Sequence, residues 1–362
     1  MLKTGFDNHN PTFDVGGAGG IVEEIDWDGN VVWDFSYSTD KYLLHHDIEK
    51  LPNGNILMIA WEYKSFDEAI EAGRNPNLLN DKELWPDKII EVNPENNEIV
   101  WQWHVWDHLI QDFNSSKENY GDISNHPELI DLNFVPTKGA SRAGADWTHM
   151  NSIDYNEELD QILISVHGFS EIWIIDHSTT TEEASSHTGG NSGHGGDILY
   201  RWGNPQAYGL GDESTQEFFC QHDAHWIEKG LSGEGNILVF NNGIGRSDGK
   251  YSSVEEIEIP DYENGGYSFD KDSGFLPKEQ EWIYTAENPA DFYSQNISGA
   301  QRLLNGNTLI CNGINGTFFE VTPSGEVVWE YENTFGEKNN SVFRAYEFSQ
   351  DYAGLVDKNL SK

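Results

Sequence analysis

Four histidines, His46, His149, His167 and His222, hold the positions from which this sequence could do chemistry. His46 opens HDIEKLPNGNILMIAWE, His222 opens HDAHWIEKGLSGEGNILVFNNG, and His149 opens the looser HMNSIDYNEELDQILISVHG. Ser298 stands at the same place in SGAQRLLNGNTLICNG. Each copy runs through a turn into an apolar stretch of β type. His167 follows the run Ile162–Val166 of the His149 copy, and strand alternation allows it to turn toward the same space. Imidazole titrates near neutrality, so a group of them can serve as nucleophile, acid, base and anion clamp. The pairs His46-Asp47 and His222-Asp223 have a plainer use as well, since a His–Asp pair can brace a sheet. His45 and His225 read as orienting or packing neighbours. His9, His104, His108, His126, His177, His187 and His194 fall in loops or insertions and read as solvated.

One residue type repeated at the head of one repeated unit implies a ring that aims those heads at a common centre. A second unit recurs beside the first, a turn followed by two aliphatic residues and tryptophan. It ends at Trp33 (DWDGNVVW), Trp101 (NPENNEIVW) and Trp329 (TPSGEVVW), with weaker copies at Trp202 and Trp282. The Asp-Gly, Asn-Gly and Ser-Gly steps supply the positive φ of tight hairpins. Together the two units make four-stranded antiparallel sheets over roughly 46–104, 149–203, 222–285 and 298–331. A half unit, Gly20–Phe35, stands before them, and Ser341–Phe348 reads as a lone inner strand after them. Radial repetition of such sheets gives an all-β fold, a β-propeller closed by pairing its two ends. A β-sandwich explains the strands but not the repeated order. Insertions near 65–87, 106–146 and 176–197 interrupt a single domain spanning 1–362. The first carries FDEAIEAG and the second WDHLIQDF, both read as short helices, and DHSTTTEEA in the third reads as a capped turn.

The chain has 362 residues, with Lys+Arg 21 against Asp+Glu 62 and a formal charge of -41. Such a charge excludes nucleic acid and anionic membrane as partners, both being polyanions. An anionic substrate therefore requires local positive charge at its site. The 13 tryptophans supply large areas for a core. Cys220 and Cys311 lie at or within apolar runs and read as buried free thiols rather than a disulfide. No apolar run approaches the ~18 residues that span a bilayer, and the first residues lack the pattern of a secretory signal. GxxxxGK[ST], GxSxG, HExxH and CxxC are all missing, so neither a phosphate loop nor a serine elbow is expected. Asn242, beyond the run Ile237–Asn241, could hydrogen-bond a substrate, although Asn-Asn-Gly equally suits a turn.

GGAGGIVEEIDWDGNVVW, HHDIEKLPNGNIL, LWPDKIIEV, WHVWDHLIQDF, NSIDYNEELDQILIS, EIWIIDHSTTT, LYRWGNP, QHDAHWIEKGLSGEGNIL and ISGAQRLLNGNTLICNG resemble the bacterial arylsulfotransferases, the PAPS-independent aryl-sulfate sulfotransferases. The resemblance runs from about Gly16 to Tyr346. It implies a six-bladed propeller with a funnel to a central site, five to six blades being expected here because the N-terminal part looks shortened. It also implies transfer of sulfuryl from a phenolic sulfate ester through a sulfated histidine to a second phenol, with no nucleotide, cofactor or metal. Family members are usually periplasmic or secreted. His222, in the QH-x-A motif, matches the nucleophile. His46 in HHDI and His149 in W-x-H-x-NS match the histidines that hold sulfate and assist proton transfer. Where the family has Ser-Ser-Arg-His after this strand, the chain reads Ser165-Val166-His167-Gly168, so His167 stands in place of a sulfate-gripping arginine. Arg302 and Arg344, near inner strands, are candidates to compensate for it. Two further readings remain: a non-catalytic propeller binding an anionic ligand or a protein partner, and a divalent metal held by the histidines.

Overall fold

Alternation along the central strands decides how the sheets stack. In Ile56–Glu62, Ile56, Met58 and Ala60 pack toward Val22 and Phe35, whereas Leu57 and Ile59 pack toward Ile153, Ile162 and Ile164. In Gln161–Val166, Leu163 turns the other way, onto Ala224, Ile237 and Val239. Leu238 and Phe240 then face Ala300, Ile310 and Val321. A strand buried on both faces is apolar along most of its length, as in Gln161–Val166, where all six residues are buried and the two polar ones, Gln161 and Ser165, are hydrogen-bonded to Tyr267 and Gln221. Each fully buried aliphatic side chain contributes roughly 1.5–3 kcal/mol.

The computed structural model describes residues 1–6, 10–135, 144–334, 340–349, 352–356 and 358. Five small antiparallel sheets form the ring of a five-bladed β-propeller. The first blade has three strands, Leu2–Phe6, Gly20–Ile25 and Val31–Ser36. The second runs Tyr42–Lys50, Ile56–Glu62, Asp87–Asn93 and Glu98–His104. The third holds Met150–Asn156, Gln161–Val166, Glu171–Asp176 and Tyr200–Trp202. The fourth is built of His222–Trp226, Ile237–Asn241, Ser253–Ile257 and Trp282–Tyr284. Gly299–Arg302, Thr308–Asn312, Thr317–Val321 and Val327–Glu332 make the fifth. Among the described residues no helix is long and apolar enough to cross a membrane.

The recurring tryptophan is an inter-blade latch. The indole N–H of Trp33 donates to Asn97 Oδ1 (2.7 Å), Trp101 to Thr179 Oγ1 (3.1 Å), Trp202 to the Pro277 carbonyl (2.7 Å) and Trp282 to the Pro323 carbonyl (2.9 Å). Each bond runs from an outer strand to the blade that follows. Trp329, the fifth copy, is 47% exposed, with Val327 and Val328 exposed beside it.

Several expectations are corrected. The two ends do not share a sheet, because Leu2–Phe6 pairs with Gly20–Ile25 and supplies the first blade's inner strand. Residues 340–349 form no strand. They follow the fifth blade through Ser298 N to Phe343 O (2.7 Å) and Val342 N to Gly313 O (2.8 Å), and then enter the middle of the ring. FDEAIEAG does form a helix, Phe66–Glu71, with a Ser65 capping box. DHSTTTEEA forms a capped turn of helix at Thr181–Ala184. WDHLIQDF gives only the short turn Val105–Asp107 and the strand Leu109–Ile110, because His108 is pulled into the interior by Asp197 and Ala184. Both cysteines are buried free thiols. His9 lies outside the described residues.

His177 is not solvated either. Its Nε2 lies 2.8 Å from Glu91 of the second blade and its Nδ1 2.7 Å from Asp160 of the third. Burial opposes the charged ring, but these two carboxylates outweigh it and raise its pKa above the ordinary imidazole value. The staple it forms is fully present below pH ~6.5 and is lost as pH rises through the raised folded-state value. His177→Gln is expected to lose roughly 1–2 kcal/mol at pH 6 and much less at pH 9, read by urea unfolding at both.

Candidate active site

The three inner strands that carry the key histidines are each broken at the same place. Pairing slips between Leu44 and Ile48, between Met150 and Ser152, and between His222 and His225. At the slips His46, His149 and Asp223 take left-handed backbone, with φ of 54, 52 and 55°. Non-glycine residues rarely sit there, and bulges of this kind re-aim side chains. Here they turn the rings inward. The centroids of His46 and His149 are 4.6 Å apart, His149 and His167 4.9 Å, and His167 and His222 5.3 Å. All four residues predicted to meet do so. Phe343, which the sequence did not single out, lies 6.3 Å from His46 and 6.4 Å from His222.

Three of the rings are anchored through Nδ1, each by a different chemistry. His149 Nδ1 is 2.6 Å from the Asp146 carboxylate, three residues before it. His46 Nδ1 is 2.8 Å from His45 Nδ1, and His45 Nε2 is 2.7 Å from Asp87 Oδ1. Asp87 Oδ2 in turn accepts the Thr148 hydroxyl (2.6 Å) and the Met150 amide (2.8 Å) of the next blade. His45 stacks on Trp61 at 3.9 Å, so it does orient its neighbour. His222 Nδ1 is 2.7 Å from Asn242 Oδ1. The amide orientation follows from its other end, where Asn242 Nδ2 donates to the carbonyls of Ser294 (2.8 Å) and Ile297 (2.9 Å). Oδ1 is therefore the atom facing His222, His222 Nδ1 carries the proton, and the lone pair of the neutral ring is on Nε2.

Bracing pairs of the kind His46-Asp47 and His222-Asp223 do not form. Asp47 and Asp223 instead share Arg344, whose guanidinium lies 2.5 Å from Asp47 Oδ1 and 3.4 Å from Asp223 Oδ1. Arg302 is not brought to the histidines; it pairs with Glu256 at 2.6 Å and lies over the Trp282 ring. Burial, and then the charges of His149, His45, His222 and His167, hold the His46 pKa well below the usual imidazole value. His46 is therefore neutral near pH 7.

Gly17 completes the wall. Its carbonyl accepts from His46 N at 2.9 Å, its φ is 88°, and a Cβ built on it would lie 1.9 Å from His46 Cε1. Gly17→Ala must displace the ring. We expect it to lower turnover by about 10²-fold, the scale of an ångström's misplacement, in a steady-state assay.

A β-propeller whose bulged inner strands gather imidazoles at the centre is the class of protein this geometry defines. The chain belongs to the arylsulfotransferase (ASST) family, whose model matches residues 7–352. That membership supports aryl sulfotransferase activity broadly, with aryl sulfate and phenol as the small-molecule substrates. No curated protein matches the chain in sequence. Among solved structures it is similar to a protein of unknown function from Bacteroides caccae (12% identity, 90% of this chain and 80% of that one, TM-score 0.42). It is also similar to a streptogramin B lyase (11%, 92% and 72%, 0.37) and a luciferin-regenerating enzyme (8%, 91% and 73%, 0.35). Likenesses this remote carry no functional argument.

Proposed function

We propose that the protein transfers sulfuryl groups between phenols in two steps, with His222 as the nucleophile. The observation that carries this reading is the Asn242 contact, which leaves the neutral His222 ring with its lone pair on Nε2. In the first step Nε2 attacks the sulfur of an aryl sulfate. The N–S bond forms as the S–O bond to the phenol breaks, and the departing phenolate takes a proton from His149. Asp146 stabilises the imidazolium that supplies it. In the second step His149 accepts the proton of an incoming phenol, whose oxygen attacks sulfur and releases His222. Splitting one transfer into two is ordinary covalent catalysis.

His167 binds the sulfate oxygens as an N–H donor, taking part of the role an arginine would fill, while neutral His46, whose Nδ1–H is spent on His45, lines the sulfate position beside it. Donors aimed at developing negative charge are most effective where water is excluded, and all four residues are largely buried. No nucleotide is needed.

The test is incubation with an aryl sulfate and a phenol, without PAPS, followed by product analysis and mass spectrometry of the quenched enzyme. A transfer product together with a sulfated peptide containing His222 is expected. Absence of both, or modification of another residue alone, sinks the proposal. Aryl sulfate binding without turnover would instead make this a ligand-binding propeller.

A further inference from the structure

Outside the channel, His108, His187 and Asp197 come together where two insertions meet. Among the described residues they are the group whose ligand atoms all lie within 4.8 Å of one another. We propose that these three side chains form a binding site for a single divalent transition metal ion, with zinc the best chemical fit.

The argument begins with His108. Its side chain is fully buried, its ring stacks on Trp103 at 5.5 Å, and its Nε2 lies 2.9 Å from the Ala184 carbonyl. A carbonyl only accepts, so Nε2 bears hydrogen and the lone pair of the neutral ring is on Nδ1. That Nδ1 points at Asp197 Oδ1, 2.8 Å away. His187 Nδ1 reaches the same oxygen at 2.7 Å. One carboxylate oxygen thus faces two imidazole nitrogens, and the His108 contact needs either a second proton on that ring or a cation between Nδ1 and the carboxylate. A ring held by its far N–H on a backbone carbonyl is how metal-ligating histidines are oriented. Two nitrogens and one carboxylate oxygen suit Zn²⁺, with water as the fourth ligand of an open tetrahedral site. Around zinc at ~2.0–2.1 Å, neighbouring ligand atoms stand ~3.3 Å apart, so each nitrogen need move only about half an ångström away from the Asp197 oxygen.

The surroundings fit an ion that arrives from solvent. The His187 side chain is 59% exposed, and a cavity of about 450 Å³ opens beside it, lined by Trp106, Asp107, Leu109, His126 and Leu129 among others. A chain with a formal charge of -41 draws cations toward it. The loop carrying His187 and Asp197 takes left-handed backbone at Gly189, Gly190, Gly193 and Gly195. Such a loop loses much entropy on ordering, and a bound ion would pin it to the 105–110 segment.

The experiment is calorimetric titration of ZnCl₂ into EDTA-stripped, dialysed full-length protein. Wild type, His187→Ala and His222→Ala are compared, with His126→Ala as a control on the same cavity. His187 and His126 are exposed, so neither variant threatens the fold. One ion per chain is expected in wild type, His126→Ala and His222→Ala, with at least a tenfold loss of affinity in His187→Ala. Cobalt should give the intense visible bands of tetrahedral coordination, absent in His187→Ala. Absence of binding overturns the proposal, as does binding that survives His187→Ala or disappears in His222→Ala. The last result would place the ion among the channel histidines.

Discussion

His222→Ala is expected to abolish aryl sulfate transfer, lowering kcat/KM by on the order of 10⁴-fold or more. The loss is that large because neither His149 nor His46 has its Nδ1 held by a neutral amide. His149 faces a carboxylate through Nδ1, and His46 faces a second imidazole backed by Asp87. Asn242 gives His222 a fixed tautomer without adding negative charge behind it. Asn242→Ala is therefore expected to act as a loss of positioning, reducing kcat about 10²-fold while KM changes little. A role in substrate binding would raise KM instead. Added imidazole should restore part of the turnover of His222→Ala by entering the space the side chain leaves, which separates a missing nucleophile from a misfolded blade. Unchanged transfer in His222→Ala would refute the assignment outright.

The ring could be read from the sequence because its blades obey local rules. Unbroken apolar runs in Ile56–Glu62 and Ile237–Asn241 report two buried faces, and the recurring tryptophans of the first four blades reach the next blade from a fixed place in the repeat. The heads of the inner strands were equally legible, since His46, His149 and His222 share a position in their units. Their anchors were not. Asp87 and Asn242 lie 42 and 20 residues from the rings they serve, and such a partnership depends on strand register and bulge position. Asp146 was closer to hand, three residues before His149, but without the left-handed turn at His149 that spacing says nothing. His108 was misread because loops carry no period to mark their interior, and a polar sequence around a buried histidine looks like a solvated one. The terminal SVFRAYEF misled in the opposite sense. Its alternation is that of a strand, yet after Phe343 its side chains are claimed by carboxylates of two different blades.

Arg344 is the residue on which that terminal segment turns, and Arg344→Met is expected to destabilise the protein by roughly 3–5 kcal/mol. Asp47 and Asp223 are each only 3% exposed and face the middle of the ring. Asp47 Oδ2 also accepts the Ile153 amide of the third blade at 3.2 Å, and Asp223 Oδ2 the Ala300 amide of the fifth at 3.1 Å. The two acids and one guanidinium thus tie four blades and the terminal segment at one point. Burial pushes the Asp223 carboxyl up, and even His225, Arg344 and the Tyr346 hydroxyl together do not bring it back to its ordinary value. Without Arg344 that rise must grow. A carboxyl raised in the folded state loses stability as pH climbs above its unfolded value of ~3.9, so the variant should approach wild type in acid and fall furthest behind at pH 8. Urea unfolding at pH 5 and pH 8 reads the difference, and Asp47→Asn in the Arg344→Met background should recover part of it. An equal deficit at the two pH values, or one below about 1 kcal/mol, would mean that the guanidinium does not neutralise these acids. Because Phe343 is the neighbouring residue and lies against His46 and His222, the same variant should raise KM for the aryl sulfate under conditions where the protein stays folded.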